Sequence, residues 1–264
     1  MTDLDQFYTR PDLAEIYARQ ILARWRNTDV LFVEPSAGTG AFVRPLRDAG
    51  CQVRAVDIAP AAENIVERDF LQDHDIYRGA HSAIVTVGNP PFGKNASIAV
   101  RFFNRAAIHS DEIAFIVPRT FRKLSLQKRL NPRFHLVHDE DVGRDAFILC
   151  GGAHDVPCAW QIWARMDRDR PVPQVPCVAR LVNYTIPSRA DFAMRRVGYY
   201  AGRIITGNLP GLSATTHYFM QERAPGTMEA LRSINWSEIA SQTAGARSLS
   251  KAEIAIKLNE VCGA

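Results

Sequence analysis

The stretch from residue 30 to residue 58 restricts the fold of this chain more than any other. A short apolar run at 30–33 passes into a glycine-bearing turn. Residues 42–49 then have helical character, Gly50 stops them, and residues 53–58 are apolar again. Two extended runs joined by a connection of this length form parallel strands linked by a helix, because parallel neighbours need a long crossover. The alternation continues with strand-like runs at 83–87, 113–117, 134–137 and 158–164 and a helical segment over 98–108. An earlier helix begins near Thr9, Pro11 and Asp12 and carries Leu13, Ile16, Tyr17, Ile21 and Trp25 at helical spacing. Together these predict an α/β fold on a parallel, doubly wound sheet. Ligands of such sheets sit at the carboxyl ends of the strands.

The pattern changes after Arg165. Residues 167–187 contain Pro171, Pro173, Pro176 and Pro187 among charged residues, which reads as an extended connection. Beyond Asp191 come short β-like pieces with glycines at 198, 202, 207 and 211. We therefore expect a first domain over 1–166 and a small α+β lobe over 167–264. Ser250 and Glu253 form a capping box for a last helix bearing Ile254, Ile256 and Leu258. With residues 236–239 before it, a packed helix pair is the simpler expectation and a helix-turn-helix the rival. Of 264 residues 47% are hydrophobic, enough for a sizeable core, and 32 Lys and Arg against 28 Asp and Glu lean only mildly toward anionic partners. The five cysteines, 51, 150, 158, 177 and 262, lack C-x-x-C spacing and read as buried thiols, not a metal site. No apolar run approaches the ~18 residues of a membrane span, so a cytoplasmic protein without membrane or metal is expected.

Two turns carry the chemistry. The first strand runs into Glu34, Pro35, Ser36, Ala37, Gly38, Thr39 and Gly40, where glycines 38 and 40 let the backbone approach a ligand closely. Asp57, seventeen residues beyond Gly40, ends the next strand where a carboxylate can take ribose hydroxyls. Val43 stands where G-x-G-x-x-G needs its third glycine, which argues against a dinucleotide site. The strand at 83–87 ends in Gly88, Asn89, Pro90, Pro91 and Phe92. Two prolines fix the path and hold Asn89 extended at the strand end. Such rigidity lets two acceptors, an amide oxygen and a backbone carbonyl, face the same small group. The Asn89 side-chain oxygen and the Pro90 carbonyl are such acceptors, with Phe92 as a stacking face.

Residues 34–42 together with 89–92 resemble the paired motifs of S-adenosylmethionine-dependent amino-methyltransferases. Residues 6–11, Gln-Phe-Tyr-Thr-Arg-Pro, are similar to the motif that precedes the glycine-rich turn in N6-adenine DNA methyltransferases. The resemblance spans roughly residues 5–166 and implies a Rossmann-like methyltransferase sheet followed by a target-recognition lobe. It implies that Phe7, Tyr8 and Thr9, the turn at Glu34, Pro35, Ser36, Ala37, Gly38 and Gly40, and Asn89 hold S-adenosylmethionine. Asp57 with Ile58 would hold the ribose, and Asp69 with Phe70 would lie near the adenine ring. The catalytic turn would be Asn89, Pro90, Pro91 and Phe92, with no metal or covalent nucleophile.

Duplex DNA is the expected partner, with its adenine flipped out. Phe147 resembles the segment lining the base pocket and would hold the base with Phe92. Arg119, Arg122 and Lys123 begin a run, 119–133, of six basic residues and no acid. Arg195, Arg196 and Arg203, interleaved with Tyr199 and Tyr200, suit a DNA-facing hairpin. Rivals on the same core are RNA adenine or protein glutamine methyltransferases, and outside it a non-catalytic DNA-binding protein. The recognition sequence, a homodimer, and a solitary enzyme against a restriction-modification partner stay open.

Overall fold

The computed structural model describes residues 7–25, 29–73, 81–149, 152–243 and 245–263. The chain divides into two compact units, Met1–Pro171 and Val172–Ala264. In the first, β1 (Tyr8–Thr9) leads into α1 (Pro11–Arg24), β2 (Val30–Glu34), α2 (Val43–Asp48), β3 (Gln52–Asp57) and β4 (Val66–Glu67). Then follow β5 (Ala83–Gly88), α3 (Ser97–Ala106), β6 (Glu112–Pro118), α4 (Leu124–Gln127), β7 (Phe134–Asp141), β8 (Phe147–Leu149), β9 (Gly152–His154) and β10 (Cys158–Arg165).

Seven strands form the central sheet in the order β4-β3-β2-β5-β6-β10-β7. The five from β4 to β6 are parallel. Successive side chains point to opposite faces, so each strand feeds two cores. Val33, Ile84, Ile113 and Phe115 pack with Phe103 and Ala99 of α3 on one face. Phe32, Val85, Ala114 and Ile116 pack with Tyr17 and Ile21 of α1 and Leu46 of α2 on the other. Trp160 seals the second face, its ring stacked on Tyr17 at 4.5 Å. This is a Rossmann-like, doubly wound α/β unit.

The sheet is mixed, not parallel throughout. β10 runs antiparallel to both β6 and β7. After β7 the chain turns back through the β8–β9 hairpin instead of a crossover helix, so the return strand must be reversed. The first helix also starts later than its sequence signal. Thr9 pairs with Phe147 in the β1–β8 ladder and is buried there, leaving Arg10 as the flanking residue and Pro11 as the first helical one. The connection expected from residue 167 begins inside the first unit. Arg170 donates to the carbonyls of Phe134 and Gln127 and lies 5.2 Å from the Trp163 ring centroid.

The second unit holds β11 (Val182–Tyr184), β12 (Phe192–Arg195), β13 (Ile204–Ile205) and β14 (His217–Glu222). They form an antiparallel sheet ordered β11-β14-β12-β13. Helices α5 (Thr227–Ser233), α6 (Trp236–Ala240) and α7 (Lys251–Cys262) follow. Phe192, Met194, Met220, Leu231, Trp236, Ile254 and Leu258 make its core, so Trp236 is a packing residue. The expected capping box opens α7: Ser250 accepts from the Glu253 N–H and Glu253 from that of Ser250. Among the described cysteines only Cys158 is buried; Cys51 is half-buried and Cys177 and Cys262 are exposed, against the expectation of buried thiols. Cys150 lies outside the described residues.

Candidate active site

From β2 the chain builds the sheet outward through β3 and β4, and from β5 it builds the other way through β6. The order therefore reverses between β2 and β5, where crevices of such sheets bind ligands. Both sequence motifs leave the sheet at this point. After β2, Gly38 and Gly40 have φ of 50° and 80°. A Cβ on Gly38 would lie 2.8 Å from the Tyr8 ring, so the glycine admits the N-terminal segment over the turn. The turn is tied to the end of β3. The Ala37 N–H donates to the Val56 carbonyl at 3.0 Å, and the Gly38 N–H to Asp57 Oδ2 at 2.7 Å. Asp57 Oδ1 accepts from the Ala59 N–H at 2.8 Å. A carboxylate offers about four lone-pair positions, so the fixed Asp57 group keeps acceptor capacity for a ligand.

The second turn is set by Gly88. Its φ is 153°, and a Cβ there would lie 2.0 Å from the Glu34 carboxyl oxygen Oε1. Glu34 is 2% exposed. Burial pushes its carboxyl well above the usual carboxylate range against a hydrogen bond from Ser36, and the Asp57 charge adds to the rise. Asn89 follows, its Nδ2 donating to the Phe7 carbonyl at 2.9 Å. That bond directs the other end of the amide, Oδ1, away from Phe7; Oδ1 is buried and has no hydrogen-bond partner among the described residues. The Asn89 carbonyl accepts from Ser36 Oγ at 3.3 Å, joining the two turns. Beyond the prolines, the Phe92 carbonyl accepts from the N–H groups of Ile98 and Ala99 at the start of α3. Asn89, Pro90, Pro91 and Phe92 are thus pinned at both ends.

A cavity of about 440 Å³ opens between these turns, within the ~300–1,000 Å³ range of small-molecule sites. Phe7, Tyr8, Pro35, Ser36 and Gly38 line it, with Asn89 and Pro91. So do Asp57, Ile58, Asp69 and Phe70. Three acids compete in sequence near residue 70, and the fold separates them. Glu67 is exposed in β4, and Asp73 is buried beside Arg54 and Arg68 at 3.3 and 3.0 Å. Asp69, its Oδ1 accepting from the Leu71 N–H at 2.9 Å, faces the cavity. Sequence reasoning missed Ala59, Arg68 and Leu71, and also Ile98, Arg101 and Phe102 on α3. The last three share a helix face by their spacing directly after the proline turn, a signal that was readable. Phe102 stacks on Phe70 with centroids 5.6 Å apart.

Other expected site residues lie elsewhere. Thr9 is buried in β1, Glu34 lies beneath Gly88, and Ala37 packs with Val43 and Ala55. Gly40 closes the turn through its N–H to the Ala37 carbonyl, and Pro90 and Phe92 are not among the lining residues. Phe147 is fully buried; its ring stands at 84° to Phe92, centroids 6.5 Å apart. Perpendicular rings in contact leave no slot for a base, so the expected sandwich between Phe92 and Phe147 is not formed here. The basic run is also altered by the fold. Arg119 pairs with Asp141 at 2.9 Å, and Arg122 with Asp139 and Asp141 at 2.8 and 2.5 Å. These acids come from β7 and could not be read within 119–133. Lys123 is half-buried at the start of α4. In the second unit Arg195 Nε donates to the Val197 carbonyl, Arg196 lies over the Tyr218 ring, and Arg203 is exposed. Gln6 lies outside the described residues. Among them no group of three or more His, Cys, Asp or Glu is placed to hold a metal, and no helix is long and apolar enough to cross a membrane.

No protein-family model matches this chain, and no curated protein matches it significantly. Solved structures do match. A candidate RNA methyltransferase of Pyrococcus horikoshii has 14% identity and a TM-score of 0.46, covering 61% of this chain and 87% of its own. A candidate class I S-adenosylmethionine-dependent methyltransferase of Listeria monocytogenes has 11% identity and a TM-score of 0.47, covering 66% of this chain; this chain spans 65% of it. The modification subunit of a candidate type I restriction enzyme of Vibrio vulnificus has 14% identity and a TM-score of 0.41, covering 62% of this chain, which spans 45% of that subunit.

Proposed function

We propose that this chain transfers a methyl group from S-adenosylmethionine to the exocyclic N6 amine of adenine in duplex DNA. The single observation that carries the reading is the Asn89 amide: Nδ2 is held by the Phe7 carbonyl at 2.9 Å, and Oδ1 is buried without a partner among the described residues, on a residue that lines a ligand-sized cavity. A buried acceptor left unpaired costs about 1–3 kcal/mol, and an incoming amine that donates to it recovers that cost.

The cavity fits the proposed cofactor by its donor set. Asp57, oriented by the Gly38 and Ala59 N–H groups, accepts the ribose hydroxyls. Asp69 accepts from the adenine amine, with Phe70 and Phe102 as an apolar wall. When bound, S-adenosylmethionine supplies a methyl already activated by its sulfonium. The protein then has to orient the acceptor nitrogen and favour its change toward tetrahedral geometry. Asn89 Oδ1 and the Pro90 carbonyl accept its N–H groups, and those bonds strengthen as positive charge grows. Phe92, half-buried just beyond the prolines, would stack on the base. The acceptors are held by the turn itself, so little reorganisation is needed at the moment of reaction.

The DNA assignment rests on the likeness of residues 6–11 and 89–92 to the adenine enzymes; a restriction-modification partner or a solitary enzyme are both compatible with it. Labelled methyl transfer to duplex DNA, structured RNA and total protein, under identical conditions, tests the assignment. Label in DNA, recovered as N6-methyladenine, is expected. Label only in RNA or protein would overturn the substrate and leave the transfer chemistry standing.

A further inference from the structure

Two exposed tyrosines of the second unit share one turn. Tyr199 is 74% exposed and Tyr200 57%, their rings perpendicular with centroids 5.1 Å apart. The turn beneath them is heavily fastened. The Gly202 N–H donates to the Arg195 carbonyl at 2.7 Å, and the Ala201 N–H to the Gly198 carbonyl at 2.9 Å. Gly198 and Gly202 have φ of 96° and 98°, and a Cβ on Gly202 would lie 2.1 Å from Trp236. A second strand of chain clamps it. Val197 bridges to Ser248, the Gly198 N–H donates to the Arg247 carbonyl, and the Leu249 N–H to the Arg196 carbonyl. Neither residues 195–203 nor residues 245–251 contain an acid, and they supply Arg195, Arg196, Arg203, Arg247 and Lys251.

Arg195 is used within the turn, its Nε donating to the Val197 carbonyl, and the other four cations divide into two groups. Arg196 and Lys251 lie over the half-buried Tyr218, 4.9 and 5.7 Å from its centroid, and belong to the packing of the unit. Arg203 lies over Tyr200 at 5.8 Å and Arg247 over Tyr199 at 5.1 Å. Each exposed ring therefore has a guanidinium against it and remains open to solvent elsewhere. Two aromatic rings held out on a rigid turn, in a segment with only positive charge, match a partner that is anionic and presents flat π-faces.

We infer that the Tyr199–Tyr200 turn is a nucleic-acid stacking element, in which the rings pack on unstacked bases while Arg203 and Arg247 neutralise the flanking phosphates. This deepens the DNA reading above by naming a grip in the second unit, and adds Arg247, which carried no sequence signal. Base–aromatic stacking is sequence-tolerant and, lost by truncation, weakens binding by roughly ten-fold or more per base. A guanidinium on a phosphate releases counterions and contributes about 0.9 to the slope of log affinity against log salt.

The test uses the full chain and fluorescence anisotropy of a labelled duplex carrying one unpaired adenine. Y199A/Y200A is expected to bind at least ten-fold more weakly, with unchanged thermal stability because both rings are exposed. Y199F/Y200F, which keeps the π-faces, is expected to bind within two-fold of the parent. R247A and R203A should each flatten the salt slope by about 0.9. Parent-like binding by Y199A/Y200A overturns the inference, as does an equal loss in Y199F/Y200F. Cofactor binding, measured on the same samples by calorimetry, keeps the two proposals apart. No cofactor binding with the tyrosine effect intact refutes the methyltransferase reading alone. Cofactor binding with no tyrosine effect refutes the stacking element alone.

Discussion

Replacing Asn89 by Ala removes two things at once, and the structure allows their sizes to be separated. The first is the donor to the Phe7 carbonyl at 2.9 Å, a neutral hydrogen bond worth about 0.5–1.5 kcal/mol of stability. For a unit of 171 residues each kcal/mol corresponds to about 2–4 °C in Tm. The variant should therefore melt only a few degrees below the parent. The second is Oδ1, the acceptor that gains strength as the amine becomes positive. Loss of one such preorganised partner lowers turnover by about 10²–10³, or about 2.7–4 kcal/mol of barrier. Asn89 is one of many residues lining the cavity, and its acceptor acts on the target amine, so cofactor affinity should stay within a few-fold. Single-turnover transfer of labelled methyl to duplex DNA, calorimetric cofactor titration and thermal melting, run on one preparation, read all three quantities. Methylation within a few-fold of the parent would refute the role of Oδ1. A fall in cofactor affinity as large as the fall in turnover would refute the separation of binding from chemistry.

Asp57→Ala should weaken S-adenosylmethionine binding by about 1–3 kcal/mol, the worth of a charged hydrogen bond; unchanged affinity in a folded variant, by calorimetry, removes Asp57 from the cofactor site. Gly88→Ala places a Cβ 2.0 Å from Glu34 Oε1 at a φ of 153°, costing about 1–3 kcal/mol in backbone strain and a similar amount in overlap. Glu34→Ala in the same chain should recover the overlap part, and strictly additive losses in denaturant melts would contradict the contact. Glu34 itself makes stability pH-dependent. Its folded carboxyl titrates above the ordinary value of 4.5, so the folded state holds a proton that the unfolded state releases, and stability declines as pH rises from about 4.5 through the folded value. Glu34→Gln should be less sensitive to alkaline pH than the parent, and identical Tm-against-pH curves would show that the buried group does not titrate this way.

Much of the fold was legible because the features that encode it are local. Apolar runs at 30–33, 53–58, 83–87 and 113–117 alternate with helical segments, and each became a strand of the parallel part of the sheet. Glycine-bearing and proline turns at strand ends mark where the backbone leaves the sheet, so both motifs could be placed at its carboxyl edge. Capping is equally local, and the Ser250–Glu253 box opened its helix as expected. What escaped the sequence depends on partners distant along the chain. The reversal of β10 follows from the β8–β9 hairpin that precedes it. Asp69 and Asp73 differ only because Arg54 and Arg68 lie beside the second. The basic run at 119–133 lacks acids in sequence, yet Arg119 and Arg122 meet Asp139 and Asp141 because the sheet places β7 next but one to β6, across β10. Phe147, read as a base-facing ring, is a core residue because Phe7 and Phe92 pack against its ring. Backbone conformation and burial pattern are short-range properties that residue spacing encodes directly. The pairing of charges, the burial of a given ring and the free end of the Asn89 amide are decided by which segments meet in space, and that only the tertiary structure settles.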